Sequence, residues 1–540
     1  MIRLSDTHLA AVGRRRRILD QMDGMTPIDL LGIPIQEYVD LRFHHADLEG
    51  SQIDGFIWDV GDGEDAYALY ENDKLPLLDE PGLNRWREQG VDFVGTLVEE
   101  TRRRGLEVFW NSRVAPVDPA QPPLGQPLTD PARRNWLKEE HPDWVQRCWW
   151  WNGLYDLSSP GLREHKVAVL HELLSRYAFD GLQLDFSRHQ PTLPIGRQWQ
   201  HREDATAYIR GVREMTLEME ERSGRPILLA VKVPETVAGC ATDGLDVATW
   251  ARELLVDIFV IGSRTLTIDV AGFRSIAAGT PIRIAATHDA HHSTDGYCSP
   301  SLEVFLGAFS NFWAQGVDFV NVFNWPTAPE EHYTRLGSQG DVMAGTYGHH
   351  TEAMFLIGEP AAMTGRDATY VVERRGGFPW TDEGCFYCCN HDRPLPVELP
   401  NHGQPVHVPL YVWRDIEADT VADARLRVIL WAADPQDRID VWLGGRRLRE
   451  LGRDATVKDA QIYGGGPQPH AGSIPSYVED PDQKLLEVTF ELPAADVIVG
   501  ENRVSIASGE RAPYGPAMYG NGIVVEKVEA DIRYHRESDA

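Results

Sequence analysis

The sequence predicts an α/β fold, a (β/α)8 TIM barrel followed by a C-terminal antiparallel β-sandwich, and three observations predict it. Through the first 330 residues, short β-branched or apolar runs alternate with longer amphipathic segments, the pattern of βα units. One run, Gly181-Leu182-Gln183-Leu184-Asp185, ends abruptly in a carboxylate with Arg188 and His189 close behind. A barrel strand ends this way when it aims an acid into the mouth. From about residue 365, helical periodicity gives way to alternating strands bounded by Gly-Gly, Pro-Asp and Gly-Glu-Asn turns. The expected division is a barrel over 1–350 and a jelly-roll-like β-sandwich over 351–540.

The expected barrel strands, in order, are Asp54 to Asp59, Glu107 to Asn111, Gly153 to Leu157, Gly181 to Asp185, Ile227 to Val233, Asp257 to Ile261, Ile282 to Ala286 and Val317 to Phe323. The third has the weakest pattern. Helices are expected over Val91 to Arg104, stopped by Gly105, over Gly161 to Tyr177 after a Ser158-Ser159-Pro160 cap, and over Ser301 to Gln315. Arg14 to Arg17 reads as a solvated leader ahead of the first strand. In the second region, Ala424 to Trp431, Ile439 to Leu443, Leu485 to Leu492 and Arg503 to Ala507 are the expected strands. The Gly/Pro-rich interval from Gly464 to Pro481 is a loop long enough to reach the barrel mouth.

Composition narrows the function classes. With 52 lysines and arginines against 82 aspartates and glutamates, the net charge of −30 repels phosphate backbones and anionic lipids, so neither nucleic acid nor membrane is an expected partner. No run of eighteen apolar residues is present. Six cysteines in 540 residues are too sparse for a disulfide scaffold, which makes a reducing cytoplasm the expected compartment. Cys385, Cys388, Cys389 and His391 read as strand thiols rather than a metal nest, because no second Cys-x-x-Cys follows. No phosphate cradle or activated Ser, Cys or Lys motif occurs, so no cofactor is expected. Homo-oligomerisation is left open.

At Leu154-Tyr155-Asp156-Leu157-Ser158-Ser159-Pro160, Arg163, and Tyr177 through Asp185 with Arg188-His189-Gln190-Pro191, the chain resembles the glycosyl-hydrolase-like barrel proteins related to the α-amylase clan of glycosidases. Gly316 to Trp325 is similar to the last strand of such barrels. The resemblance implies glycoside hydrolysis. It places the nucleophile on Asp185, the acid/base most nearly on Glu235, and the clan's His-Asp pair on His288 and Asp289. Two departures stand out: Gln183 takes the place of an arginine two positions before the nucleophile, and Glu235 lies in an unusual Val233-Pro234-Glu235 setting. Arg113 and Arg188 are the substitutes for the missing guanidinium.

The residue types also suit the chemistry. Cleavage passes through an oxocarbenium-like state, so one carboxylate faces the anomeric carbon while a protonated carboxyl serves the leaving oxygen, about 5–5.5 Å apart for retention or roughly 6.5–9.5 Å for inversion. Asp185 and Glu235 are the expected pair. Asp59 is a second candidate acid or a hydroxyl contact, and Asp180 is expected to be structural. Indole rings stack on sugar faces, which makes Trp58 and Trp325 expected contacts, with Trp149 to Trp151 divided between packing and surface. Asn111, Arg113, Arg188, His189, Lys232, His288, Asp289 and Asn324 supply hydrogen bonds to a carbohydrate substrate. Two alternatives are a non-catalytic carbohydrate-binding barrel, and a metal-dependent hydrolase or lyase using His288, Asp289, His291 and His292. The second is disfavoured because the early strands offer no partner ligands.

Overall fold

The computed structural model describes residues 2–22, 33–59, 63–118, 134–289, 296–297, 300–325, 328–329, 350–374, 393–400, 402–459, 462, 470–471, 474–475, 483–512 and 522–535. Eight parallel strands close into a barrel: β1 Ile18–Met22, β2 Ile53–Asp59, β3 Glu107–Arg113, β4 Gly181–Asp185, β5 Leu228–Val233, β6 Ile258–Ser263, β7 Arg283–Asp289 and β8 Phe319–Phe323. The run at Gly153 to Leu157 is not a barrel strand. Its Leu154–Tyr155 pairs antiparallel with Val145–Gln146 in a small hairpin. The missing stave is β1, which pairs with β8 and β2 and closes the cylinder. Asp20 and Gln21 interrupt its apolar run, which hid it in the sequence.

Of the four arginines before β1, expected as a solvated leader, only Arg14 and Arg15 are exposed. Arg16 is buried and grips Glu107 with two bonds, Nε to Oε2 at 2.7 Å and Nη2 to Oε1 at 2.9 Å, while Arg17 pairs with Asp54. Helix α1, Asp6–Val12, is capped by Ser5 and lies beneath the barrel. Its buried His8 bridges Glu220 at 2.6 Å and Asp257 at 3.0 Å, and Arg213 grips the same Asp257 with two bonds.

Burial alone would lower the His8 pKa, but the hydrogen bond and charge of Asp257 and the bond to Glu220 outweigh it, so it lies above 6.5. A raised folded-state pKa gives stability that is present below 6.5 and lost as pH rises through the folded value. The melting-temperature difference between the parent and His8→Leu is therefore expected to be largest in mild acid and to shrink above neutrality. A difference that grows with pH would refute the charged bridge.

The expected helices appear as Phe93–Arg103 (α2), Pro160–Arg176 (α3) and Leu302–Ala314 (α4). In α2, Asp92 caps the Gly95 amide, and Phe93, Leu97 and Val98 face the barrel wall. Asp180 accepts the Val108 amide and pairs with Arg102, a structural role as expected.

Among the described residues, ten of the strands that follow the barrel form two antiparallel sheets: β9 Ala368–Val371, β10 Val397–Glu398, β11 Val406–Val412, β12 Val421–Trp431, β13 Ile439–Leu443, β14 Arg446–Arg447, β15 Glu450–Asp454, β16 Leu485–Glu491, β17 Gly500–Ser508 and β18 Val524–Tyr534. One sheet runs β9-β18-β12-β16-β15 with β10 beside β18, and the other runs β11-β17-β13-β14. Alternate residues such as Val408, Leu410 and Val412 on β11 and Leu426, Val428 and Leu430 on β12 share one apolar core. Strand β9 lies against α4 at Gly307, where a Cβ would fall 2.2 Å from the Thr369 carbonyl oxygen, so only glycine permits the approach. No helix among the described residues is long and apolar enough to cross a membrane.

Candidate active site

The barrel interior changes character along its axis. At the N-terminal end, Leu19, Ile57, Phe109, Leu228, Ile258, Ala285 and Phe319 form an apolar plug. Towards the C-terminal ends of the strands the inward positions turn polar. Hydrogen bonds link four of them: Gln183 Nε2 donates to Asn111 Oδ1 at 2.7 Å and to Gln21 Oε1 at 3.1 Å, and Asn111 Nδ2 donates to Asp59 Oδ2 at 2.7 Å. These bonds join the polar groups into a floor beneath the mouth, in which Gln183 Oε1 has no hydrogen-bond partner among the described residues.

Above that floor sits Asp185, fully buried at the end of β4. Its Oδ1 accepts the Ser187 amide at 2.9 Å and the Arg188 amide at 3.0 Å, while Oδ2 has no hydrogen-bond partner among the described residues. Strand register places Arg113 on one side of Asp185 and Lys232 on the other. Lys232 also donates to Gln21 at 3.1 Å and lies 4.0 Å from the centroid of the Phe323 ring, over which Arg188 sits at 5.4 Å. Arg113 approaches Asp59 at 3.3 Å. Gln183 belongs to the amide floor, so the positive charge beside Asp185 comes from the neighbouring strands.

Further round the rim, Asp289 at the end of β7 meets Arg264 at 3.5 Å and accepts Asn324 Nδ2 at 3.2 Å. Two residues just beyond strand ends take left-handed backbone angles, His189 at φ 61° and Asn324 at φ 58°. Such angles cost ~1–3 kcal/mol and persist where the surroundings hold them, often at working sites. Glu235 follows β5, is buried, and its carbonyl accepts the Asp269 amide.

Three expected contacts are corrected, Trp58 and His288 by side-chain alternation along their strands and Trp325 by its burial just beyond β8. Trp58 points outward, stacks on Phe56, packs near Phe43 and donates to Thr101. His288 also points outward, ringed by Phe305, Phe309 and Trp325, and burial lowers its pKa to about 4. Trp325 is buried in the same aromatic cluster and donates its indole N–H to His288 Nδ1 at 3.3 Å. These side chains belong to the wall between barrel and helices, not to the mouth. His288 and Asp289 therefore face opposite sides of β7 and do not converge on one metal. His291, His292, the cysteines from 385 to 389 and His391 lie outside the described residues, and no group of three or more metal-ligating side chains occurs among the described ones. Most of the interval from Gly464 to Pro481 also lies outside them.

Trp149 to Trp151 divide as anticipated. Trp149 donates to the Gln190 carbonyl beside His189, Trp150 donates to Asp118, and Trp151 is exposed. Trp58→Ala is expected to cost about 3–5 kcal/mol of stability by opening a core cavity, while leaving KM for any cleaved saccharide unchanged. A raised KM with unaltered stability in chemical denaturation would return Trp58 to the mouth.

Sequence reading missed Gln21, Thr287, Asn321 and Arg264. Thr287 and Asn321 bond each other at 2.6 Å inside the barrel. Counting every second residue back from each strand end would have found Thr287 and Asn321; Gln21 required recognising β1 first.

Residues 36–205 match the family model described as Glycosyl hydrolase-like 10. No curated protein matches the chain. Among solved structures, α-amylase from Geobacillus thermoleovorans complexed with acarbose is 9% identical with a TM-score of 0.37, over 92% of this chain and 99% of that one. Alpha-L-fucosidase isoenzyme 2 from Paenibacillus thiaminolyticus is 13% identical with a TM-score of 0.39, over 63% of this chain and 49% of that one. GH36 alpha-galactosidase AgaA from Geobacillus stearothermophilus is 15% identical with a TM-score of 0.31, over 88% and 56%. The matched region spans about half the length of the last two. The family match takes in Asp59, Asn111, Arg113, Asp185, Arg188 and His189 and ends before Glu235, so the chain is similar to glycosyl hydrolase-like proteins over the part of the barrel that carries Asp185.

Proposed function

We propose that this protein is a glycoside hydrolase that cleaves O-glycosidic bonds of an oligosaccharide or polysaccharide at the C-terminal mouth of the barrel. The observation that carries the reading is the Asp185 carboxylate. One of its oxygens is locked by two loop amides, and the other is buried without a hydrogen-bond partner among the described residues. A locked carboxylate pays little reorganisation cost when it meets a developing oxocarbenium centre. In this reading Asp185 faces the anomeric carbon and Glu235 protonates the leaving oxygen as the C–O bond breaks. Asp59, Arg113, Lys232, Asp289 and Asn324 hold sugar hydroxyls around them, and the region after residue 350 serves as an accessory domain.

The test is a screen of purified protein against a panel of glycans with detection of new reducing ends. Cleavage of at least one glycan, lost in Asp185→Asn, is the expected result. Saccharide binding without cleavage anywhere on the panel would replace the hydrolase by a binding barrel.

A further inference from the structure

The hairpin between β3 and α3 carries a second pocket beside the mouth. Its short strands, Val145–Gln146 and Leu154–Tyr155, lie on the loop after β4 that bears Arg188 and His189: Gln146 Nε2 donates to the Pro191 carbonyl at 3.0 Å and Trp149 Nε1 to the Gln190 carbonyl at 2.6 Å. The Trp149 ring neighbours both His189, at 6.1 Å between centroids, and Trp150, at 5.7 Å. A short row of rings thus joins the rim to the hairpin loop. Ala115, Val117 and Leu154 form an apolar base against which Cys148, Trp149 and Trp150 pack.

Around that loop lies a cavity of about 480 Å³, lined among others by Lys138, Arg147, Cys148, Trp150, Trp151 and Asn152. A sugar ring fits in such a volume. Trp151 is 43% exposed, an indole face turned to solvent. Trp150 is fixed by its N–H bond to the buried Asp118 at 2.6 Å, and the same carboxylate answers the Lys138 ammonium at 3.1 Å, which also donates to the Gly153 carbonyl at 2.7 Å. Arg147 differs. It is exposed and makes no ion pair or side-chain hydrogen bond among the described residues. No aspartate or glutamate lines the cavity. In a chain whose net charge of −30 repels anions in general, a free guanidinium in a lining without acids is a place where a negative group is accepted.

We propose that this pocket is a subsite for a pyranose ring that carries a carboxylate. The apolar face of the ring stacks on Trp151 beside Trp150, its carboxylate meets the fork of Arg147, and Asn152 serves a hydroxyl. The bound saccharide then reaches from the pocket along Trp149 to His189 and the mouth. This rests on the glycosidase reading and adds to it the class of sugar: an acidic oligosaccharide rather than a neutral one.

The test is calorimetric titration of the full chain carrying Asp185→Asn, so that no probe is consumed, with hexamers of galacturonate, mannuronate and hyaluronan and with maltohexaose and cellohexaose as neutral counterparts. At least one acidic hexamer is expected to bind about tenfold more tightly than either neutral one, and less tightly as salt is raised. Adding Arg147→Gln is expected to weaken that binding about tenfold, and adding Trp151→Ala at least about fivefold. Both side chains are exposed, so melting temperatures are expected to match the parent's. Absence of binding by every acidic hexamer, equal binding of the neutral ones, or a Kd indifferent to either variant would overturn the proposal. If an acidic hexamer binds and responds to both variants but the parent cleaves no glycan, the subsite stands and the hydrolase reading falls. If a glycan is cleaved while binding ignores both variants, the hydrolase reading stands and the subsite falls.

Discussion

Asp185→Asn is expected to fold as the parent does and to lose glycoside cleavage on the order of 10³-fold or more. The fold survives because the side-chain carbonyl of asparagine still accepts the Ser187 and Arg188 amides that Oδ1 accepts at 2.9 and 3.0 Å. The chemistry does not survive, because Oδ2 becomes an amide nitrogen with neither the charge nor the lone pair needed at the anomeric carbon. Melting temperature and turnover on the best glycan from the panel read the two effects separately. Retention of more than a tenth of the parent's turnover would show that another group does this work, and Asp59, at the end of β2 beside Arg113, would be the first to test.

The second large effect is expected at Glu235. Glu235→Gln removes the proton that the leaving oxygen needs, and loss of a positioned acid costs roughly 10²–10⁴-fold. The loss is expected to depend on the leaving group. A saccharide leaving group needs protonation and should suffer most, while an aryl glycoside with a strongly electron-withdrawing ring departs as an anion and should be nearly indifferent. Equal losses on both substrates would remove Glu235 from the role of proton donor. Comparison of the two variants on the same substrates separates attack from protonation.

Much of the architecture was legible in the residues. Seven of the eight barrel strands follow from short apolar runs, because a parallel strand covered on both faces must be apolar nearly throughout. β1 escaped because Asp20 and Gln21 sit in its middle and four arginines precede it. The run at Gly153 to Leu157 misled because two β-residues in a hairpin carry the same local pattern as a short stave. The site was legible in part. Asp185, Asp59, Asn111, Arg113, Lys232 and Asp289 share the inward parity of their strands, and that parity can be counted from a strand end. Trp58, His288 and Trp325 were misplaced because proximity to a strand end was weighed above the face on which each side chain emerges.

By itself the sequence determined the class of fold, the strand that carries Asp185 and the acidic character of the chain, since these depend on local pattern and composition. Only the tertiary structure decided what surrounds that carboxylate: the amide floor of Gln183, Asn111 and Gln21 and the cations on both neighbouring strands. The physical reason is range. Strand and helix patterns are set by neighbours within a few residues, whereas the charge and hydrogen bonds around a buried acid come from groups brought together by barrel closure from as far apart as Gln21 and Lys232.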